Sequence, residues 1–301
     1  MVYNNFEQLI ARVKNFPEVK RVAVVAAGDK HTIEAVLKGR SEGIVEPVLV
    51  GNKSEIIKIL KELMEEVKEE NIYDVPNVQD AAKVAVELIN SKKADFIMKG
   101  KIDTADLLRA VVNKESGLGT GRLMSHFVIQ QLPTYHKLLV TTDGGMMMYP
   151  TLEQKKFIIE NAVETLHAIG YENPKVAVLA AVEKVNPKMP ETIDADELAQ
   201  MNKNGEIKGC IVEGPLSLDI ALSKEIAEIK GFNSHVAGDA DVLIVPNITA
   251  GNILGKSLVV AARAKMAGFI VGAKVPIVLT SRGASAEEKY LSLVISAAAT
   301  V

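Results

Sequence analysis

The sequence has no tryptophan, a single cysteine and few rings of any kind, with aromatics only 4% of its 301 residues. With so few flat side chains, the stacking platforms of single-stranded nucleic-acid binders are hard to build. The one thiol, Cys210, excludes an internal disulfide and fits a reducing compartment, so a cytoplasmic protein is the default expectation. A dominant charge is also lacking. The 35 bases stand against 38 acids for a formal net charge of −3, so neither nucleic acid nor a membrane surface is expected as a partner. No apolar run approaches the roughly 20 residues that cross a bilayer. The first residues mix Asn, Glu, Arg and Lys with apolar side chains, unlike a secretory leader. Small anionic ligands are the partners this composition favours.

What is present is material for a large core. Hydrophobic residues make up 48% of the chain, enough for two domains. Short β-branched runs alternate with helical periods, the mark of an α/β fold with parallel sheets and crossover helices. Strands are expected at residues 22–26, 47–50, 96–98, 137–141, 176–180, 210–212, 242–245 and 276–280. Between them, residues 54–70 place Ile56, Ile57, Leu60, Leu63, Met64 and Val67 on one helical face, and residues 152–169 repeat that spacing. No repeat or low-complexity linker marks a boundary. Pro133 before one strand, and residues 265–268 before the last, suggest a domain made of 1–132 plus 267–301. An inserted domain at 133–266 would face it across a cleft.

Ligands of open parallel sheets gather beyond the carboxyl ends of strands, where helix N-termini and loop amides converge. Residues 276–288 are the most telling stretch, a strand running into Ser281, Arg282 and Gly283 and then a helix. A guanidinium and a hydroxyl fixed there suit a phosphate or a polarised carbonyl. Yet Ser285 and Glu288 also have capping-box spacing, and spacing alone favours the cap. After another expected strand, Gly100 permits close backbone approach, Thr104 offers a hydroxyl, and Asp106 with Arg109 reads as a solvated ion pair, leaving Arg109 undecided. Asp143, ahead of Gly144 and Gly145, either orders a loop or touches a substrate. Met146, Met147 and Met148 read as packing between domains.

Residues 250–257 nearly fit a phosphate-binding loop, but an apolar helical period runs straight through Gly255 and Lys256, so the nucleotide reading is rejected. Asn247, Thr249 and Gly251 remain as cleft lining. Thr151 and Gln154 read as a structural capping box. The five histidines are scattered and no cysteine cluster exists, so neither a metal nor a permanently bound cofactor is expected. Cys210 opens an apolar run and reads as inert.

Ser281-Arg282-Gly283 with Ser285, the Ala250-Gly251-Asn252 step, residues 212–216, and Lys99-Gly100 with Thr104, Asp106 and Arg109 together resemble the phosphate acetyltransferase and butyryltransferase family. Residues 119–150 are more similar to the butyryl branch. The resemblance implies two α/β domains of the isocitrate/isopropylmalate dehydrogenase kind around a cleft, and a homo-oligomer. It implies that acyl-CoA, phosphate and acyl phosphate are the partners, with coenzyme A as a substrate. The transferred group would be butanoyl, with acetyl transfer the alternative and NAD-dependent dehydrogenation a remote one. It selects Ser281 and Arg282 as catalytic, and Glu288, standing where the family has an aspartate, as the base that deprotonates the thiol. Arg122 matches loosely a second phosphate-contacting arginine, and Thr104, Arg109, Asp143, Asn247, Gly251 and Gly283 complete the expected substrate-facing set.

Overall fold

The computed structural model describes residues 2–281 and 283–300. Its strands, in chain order, are β1 (Lys20–Val25), β2 (Val45–Gly51), β3 (Ile72–Asp74), β4 (Phe96–Lys99), β5 (Ser125–Gln131) and β6 (Leu139–Thr142). They continue with β7 (Lys175–Leu179), β8 (Ile211–Leu216), β9 (Val242–Ile244), β10 (Lys265–Val271) and β11 (Ile277–Val278). Helices connect most of them, giving a mixed α/β fold. Two compact units emerge, one of Glu7–Arg122 with Ala267–Val301 and an inserted one of Met1–Phe6 with Leu123–Met266. The inserted unit takes in β5, whereas the boundary expected at 132/133 falls after that strand.

In the unit built from Glu7–Arg122 and Ala267–Val301 the strands lie in the order β3, β2, β1, β4, β11, β10. β1 runs parallel to both β2 and β4, with Val22 to Val25 fully buried, the continuous apolar run of a strand covered on both faces. β11 adds parallel to β4, pairing Ile277 with Ile97 and Val278 with Met98. Helix Ala286–Ala299 follows and is buried along most of its length. It packs on helix Lys30–Ser41, where a Cβ on Gly39 would come within 2.8 Å of Leu293. The inserted unit orders its strands β5, β6, β9, β7, β8.

Three features depart from the expected pattern. The β5–β6 and β10–β11 pairs are antiparallel, because each is joined by a connection too short for a crossover helix. The helix expected over 54–70 spans Lys53–Glu62 and stops at Leu63, since Met64 turns into the left-handed region at φ 55°. Arg40 then holds the exit, its guanidinium on the Glu66 carbonyl and 2.6 Å from the Glu65 carboxylate, steering the chain toward β3. Residues 265–268 form part of β10 instead of a linker, the Gly268 amide donating to Ser292 Oγ at 3.0 Å.

The loop after β4 continues the ladder with β1: the Gly100 amide donates to Val25 O and the Lys101 amide to Ala26 O, both at 2.9 Å. A Cβ on Gly100 would lie 2.5 Å from Ala26 O and 2.6 Å from Val25 O. Glycine is thus demanded by neighbouring backbone carbonyls, which cannot swing aside. Gly100→Ala is expected to cost about 1–3 kcal/mol, measured as a lower urea midpoint with an unchanged slope.

Candidate active site

Where β1, β4 and β11 end, a cleft of about 820 Å³ opens, within the size range of small-molecule sites. Its walls are Gly28 to Lys30 after β1, Lys99 to Asp103 after β4, and Thr280 with Ser281 after β11. Val78, Gln79, Asp106 and Lys289 complete the lining. Helices Lys30–Ser41, Val78–Asn90 and Thr104–Val111 all begin at this rim. Their positive dipole ends favour an anion there.

Charge inside the cleft is organised unevenly. Lys289 is 8% exposed, and its ammonium sits 2.5 Å from Asp29 Oδ2 and 3.1 Å from Thr32 Oγ1. Burial opposes ionisation of Asp29, but the hydrogen bonds from Lys289 and Thr32 prevail and hold its carboxyl below the usual range. Asp106 is matched by Arg109 at 2.7 Å, the arginine side chain 72% exposed. Lys30 and Lys101 keep only long contacts outside the cleft, to Glu62 at 3.8 Å and Glu55 at 3.6 Å.

The turn after β11 carries the hydroxyl of Ser281 on the cleft lining, and Gly283 follows beside it. Arg282 lies outside the described residues. Ser285 caps helix Ala286–Ala299 by accepting from the Glu288 amide at 3.0 Å, the half of a capping box that leaves the Glu288 carboxyl unused. That carboxyl is partly buried, and burial raises its pKa above the ordinary carboxylate value against the opposing charge of Lys289. A carboxyl with raised proton affinity is the form of group that enzymes use as a base near neutrality. Thr104 opens helix Thr104–Val111 next to the lining residue Asp103, and Arg122 ends its segment of the unit with its amide 3.2 Å from Thr120 Oγ1.

A second group of expected site residues gathers in the inserted unit. Asp143 is 2% exposed; its Oδ1 accepts from the Gly145 and Met146 amides at 2.8 Å and its Oδ2 from the Met147 amide at 3.2 Å. The carboxylate therefore organises the loop. Asn247 caps helix Ile248–Val260 by accepting from the Ala250 amide at 3.0 Å, and the near-match to a nucleotide loop lies wholly inside this helix. Gly251 is where the helix backs onto the Asp143 loop: a Cβ there would meet Gly144 Cα at 2.8 Å. Thr151 and Gln154 form both halves of a capping box. Burial pushes the Cys210 thiol up to about 12. Among the described residues no group of three or more His, Cys, Asp or Glu is placed to hold a metal, and no helix is long and apolar enough to cross a membrane.

Sequence reasoning missed Asp29, Lys30 and Lys289, and it quoted Lys99 in a motif without giving it a place in the site. The signal was available for the first two, because they follow the first strand at its carboxyl end. Lys289 stands in a helix beside the more conspicuous Glu288, and only the fold shows it turned toward Asp29.

Comparison with known proteins places this arrangement. Residues 59–297 match the family described as phosphate acetyl/butaryl transferase. The chain belongs to this family. A phosphate butyryltransferase of Clostridium acetobutylicum is 46% identical over 293 residues, 97% of each chain. A phosphate acetyltransferase of Thermotoga maritima is 48% identical over 278 residues, 92% of this chain and 94% of that one. The crystal structure of a branched-chain phosphotransacylase from Enterococcus faecalis superposes with a TM-score of 0.81 at 32% identity, covering 94% of this chain and 99% of that chain. A 4-hydroxythreonine-4-phosphate dehydrogenase from Burkholderia phymatum shares the fold alone, at a TM-score of 0.57, 15% identity, and coverage of 94% and 98%.

For a member of the phosphate acetyl/butaryl transferase family, the matched span holds the β4 and β11 walls of the cleft, while the β1 wall with Asp29 and Lys30 precedes it. Relatives named for butyryl and for acetyl transfer stand at nearly equal identity, so overall likeness does not decide the acyl group. In the inserted unit, Asp143→Ala leaves three amides without their acceptor. It is expected to cost about 1–3 kcal/mol and to speed proteolytic cutting near residues 144–148, read by urea unfolding and limited digestion.

Proposed function

We propose that this chain is a phosphate butyryltransferase, catalysing butanoyl-CoA + phosphate = butanoyl phosphate + CoA. Two things support the reading: a relative of that name at 46% identity over nearly the whole chain, and the carboxyl of Glu288, its proton affinity raised, in the first turn of the helix that follows the Ser281 turn, although it is not itself among the residues lining the cleft. The second observation carries the mechanism.

In the CoA-acylating direction, Glu288 takes the thiol proton. The sulfur lone pair then forms a C–S bond with the acyl carbon, the bond from that carbon to the bridging phosphate oxygen breaks, and phosphate departs with that electron pair, its O–P bonds intact. Ser281 steadies the thiolate, and the guanidinium of Arg282 balances the charge on the departing phosphate. A free thiol ionises with a pKa of about 8.5, so at neutral pH a base in contact is what the chemistry requires. Orientation of the two substrates supplies the rest of the acceleration. Thr104, Arg109, Arg122 and Gly283, with Asp143, Asn247 and Gly251 of the inserted unit, belong to the same reading as substrate-facing positions.

Acetyl transfer is the second reading, favoured by the Thermotoga maritima relative. Two additional buried methylenes, at about 0.8 kcal/mol each, shift preference by about one order of magnitude. We further read the architecture as isocitrate/isopropylmalate dehydrogenase-like, supported by likeness to a dehydrogenase at the level of fold, and the compartment as the cytoplasm, supported by a single buried thiol.

The oligomer belongs to this reading too. Helix Ile248–Val260 carries one charge, Lys256, and Gly251 is its sole fully buried residue. Ile253 and Val260 are 61% and 81% exposed, and Met148 and Tyr149 near its start are 68% and 78% exposed. A nearly uncharged apolar face is self-complementary, which suits a second copy of the chain about a two-fold axis. Ile253→Asp is expected to shift the mass in sedimentation toward the monomer; an unchanged mass would assign the face elsewhere.

The test of the chemistry follows thiol release from butanoyl-CoA with phosphate, against acetyl-CoA. Arg282→Ala is expected to depress turnover strongly in a folded protein. Glu288→Gln is expected to lower turnover about 10²–10⁴-fold and to remove the loss of rate as pH falls through the raised pKa. Stability should move the other way. A carboxyl whose folded pKa is raised stabilises the fold below its unfolded pKa, and that contribution is lost as pH rises through the folded pKa. Gln therefore removes a partly buried ionisable carboxyl while keeping the amide that Ser285 caps. Retained turnover in Glu288→Gln would end the assignment.

A further inference from the structure

A second cavity, of about 510 Å³, lies in the inserted unit, and none of its lining residues belongs to the cleft described above. One wall is the loop after β7, residues 182–187. The other is Ile220, in the short helix Leu218–Leu222 that follows β8, with Lys230 and Phe232 beyond helix Lys224–Ile229. Both walls are fixed from behind. The Asn186 amide donates to Thr192 Oγ1 at 2.9 Å and the Met189 amide to Asn186 O at 2.8 Å, while the Phe232 amide donates to Ala227 O at 2.8 Å. Ile220 is fully buried, and Phe232 packs on the same apolar core. The volume suits a compact small molecule.

The lining divides by chemistry. Val182, Val185, Pro187, Ile220 and Phe232 give it an apolar surface, on which Val185 is left 49% exposed. Next to these stands a polar cluster with more acid than base. The Lys230 ammonium is 3.2 Å from Glu183 Oε1 and 3.0 Å from Asp219 Oδ2, so one cation is shared by two carboxylates. The Ser217 hydroxyl, which donates to Glu183, and the Lys230 ammonium hold both carboxyls below the ordinary carboxylate range, which keeps both charged at neutral pH. One negative charge is thus left over. Lys184 and Asn186 supply the opposite. Lys184 is exposed and has no ion pair among the described residues, and the Asn186 carboxamide is engaged only through its oxygen, which accepts from the Lys188 amide at 3.0 Å. Two donors on the lining therefore have no protein acceptor among the described residues.

We propose that this cavity binds a free aliphatic amino acid of the size of leucine. The ligand's ammonium meets the surplus charge of Glu183 and Asp219, its carboxylate takes the donors of Lys184 and Asn186, and its side chain lies against Val182, Val185, Ile220 and Phe232. A fatty acid of similar length lacks the cation that the two acids require. A simple alkyl amine lacks the anion that Lys184 and Asn186 require. The inference uses no part of the acyl-transfer reading.

The test is calorimetric titration of the full chain with L-leucine, with isocaproate, which lacks the ammonium, and with isoamylamine, which lacks the carboxylate. Saturable heat is expected from L-leucine, and affinity weaker by about tenfold or more, equivalent to about 1.4 kcal/mol, from either analogue. The Lys184→Glu/Val185→Asp double variant alters two exposed side chains, so its fold is expected to survive, which thermal unfolding checks. That variant is expected to lose the leucine heat, and L-leucine to raise the unfolding temperature of the wild type alone. No heat from L-leucine, equal affinity for either analogue, or undiminished binding by the folded variant overturns the site. Should the variant fail to fold, the three ligands on the wild type still decide. Acyl transfer measured on the same samples bears only on the cleft.

Discussion

The ammonium of Lys289 is the tie on which the site depends. It is buried in helix Ala286–Ala299, yet it reaches Asp29 and Thr32 at the start of helix Lys30–Ser41. Through it the turn carrying Ser281 and the loop after β1 are fastened to one another, although they lie at opposite ends of the sequence. A buried cation is costly unless fully matched. Here the carboxylate and hydroxyl match it, and Asp29 serves twice, since it also caps helix Lys30–Ser41 by accepting from the Thr32 amide at 3.1 Å. The same ammonium lowers the proton affinity of the adjacent Glu288, so scaffold and proposed base share one charge.

Around that tie the sheet does the positioning. Parallel strands deliver their carboxyl ends to one edge, and here β1, β4 and β11 deliver the three loops that make the cleft. Tight backbone approach at Gly100 keeps two of those loops in ladder register. The inserted unit uses a different device. Asp143 draws three successive amides onto one carboxylate, and Asn247 and Gly251 seat the next helix against that loop.

Much of this could be read in the residues beforehand. Long β-branched runs such as that of β1 declare themselves, and the apolar period over helix Leu152–Ala168 is unbroken. What escaped was structure whose signal is weak or tertiary. β3 has three residues, β5 mixes His126, Gln130 and Gln131 among its apolar positions, and β10 has Gly268 at its centre, where punctuation suggests a break. Gln130 is tolerated inside because Thr141 of the neighbouring strand donates to it at 2.9 Å, a match visible only once the strands are paired. In the site, motif positions such as Ser281 stood out, but Lys30 and Lys289 did not. Lysine is common on surfaces, and nothing in its spacing distinguishes one facing a cleft from one facing water.

Discontinuity of the chain has its own consequence. β4 is completed by β11, whose residues follow the whole inserted unit in the chain, while that unit is continuous from Leu123 to Met266 apart from its first few residues. A growing polypeptide therefore carries a sheet with one flank of β4 unpaired until residues 277–278 have left the ribosome. The Ser281 turn arrives together with the strand that closes that flank. Completion of the sheet and delivery of the Ser281 turn to the cleft are in this way one event, and a chain that stops before β11 has neither.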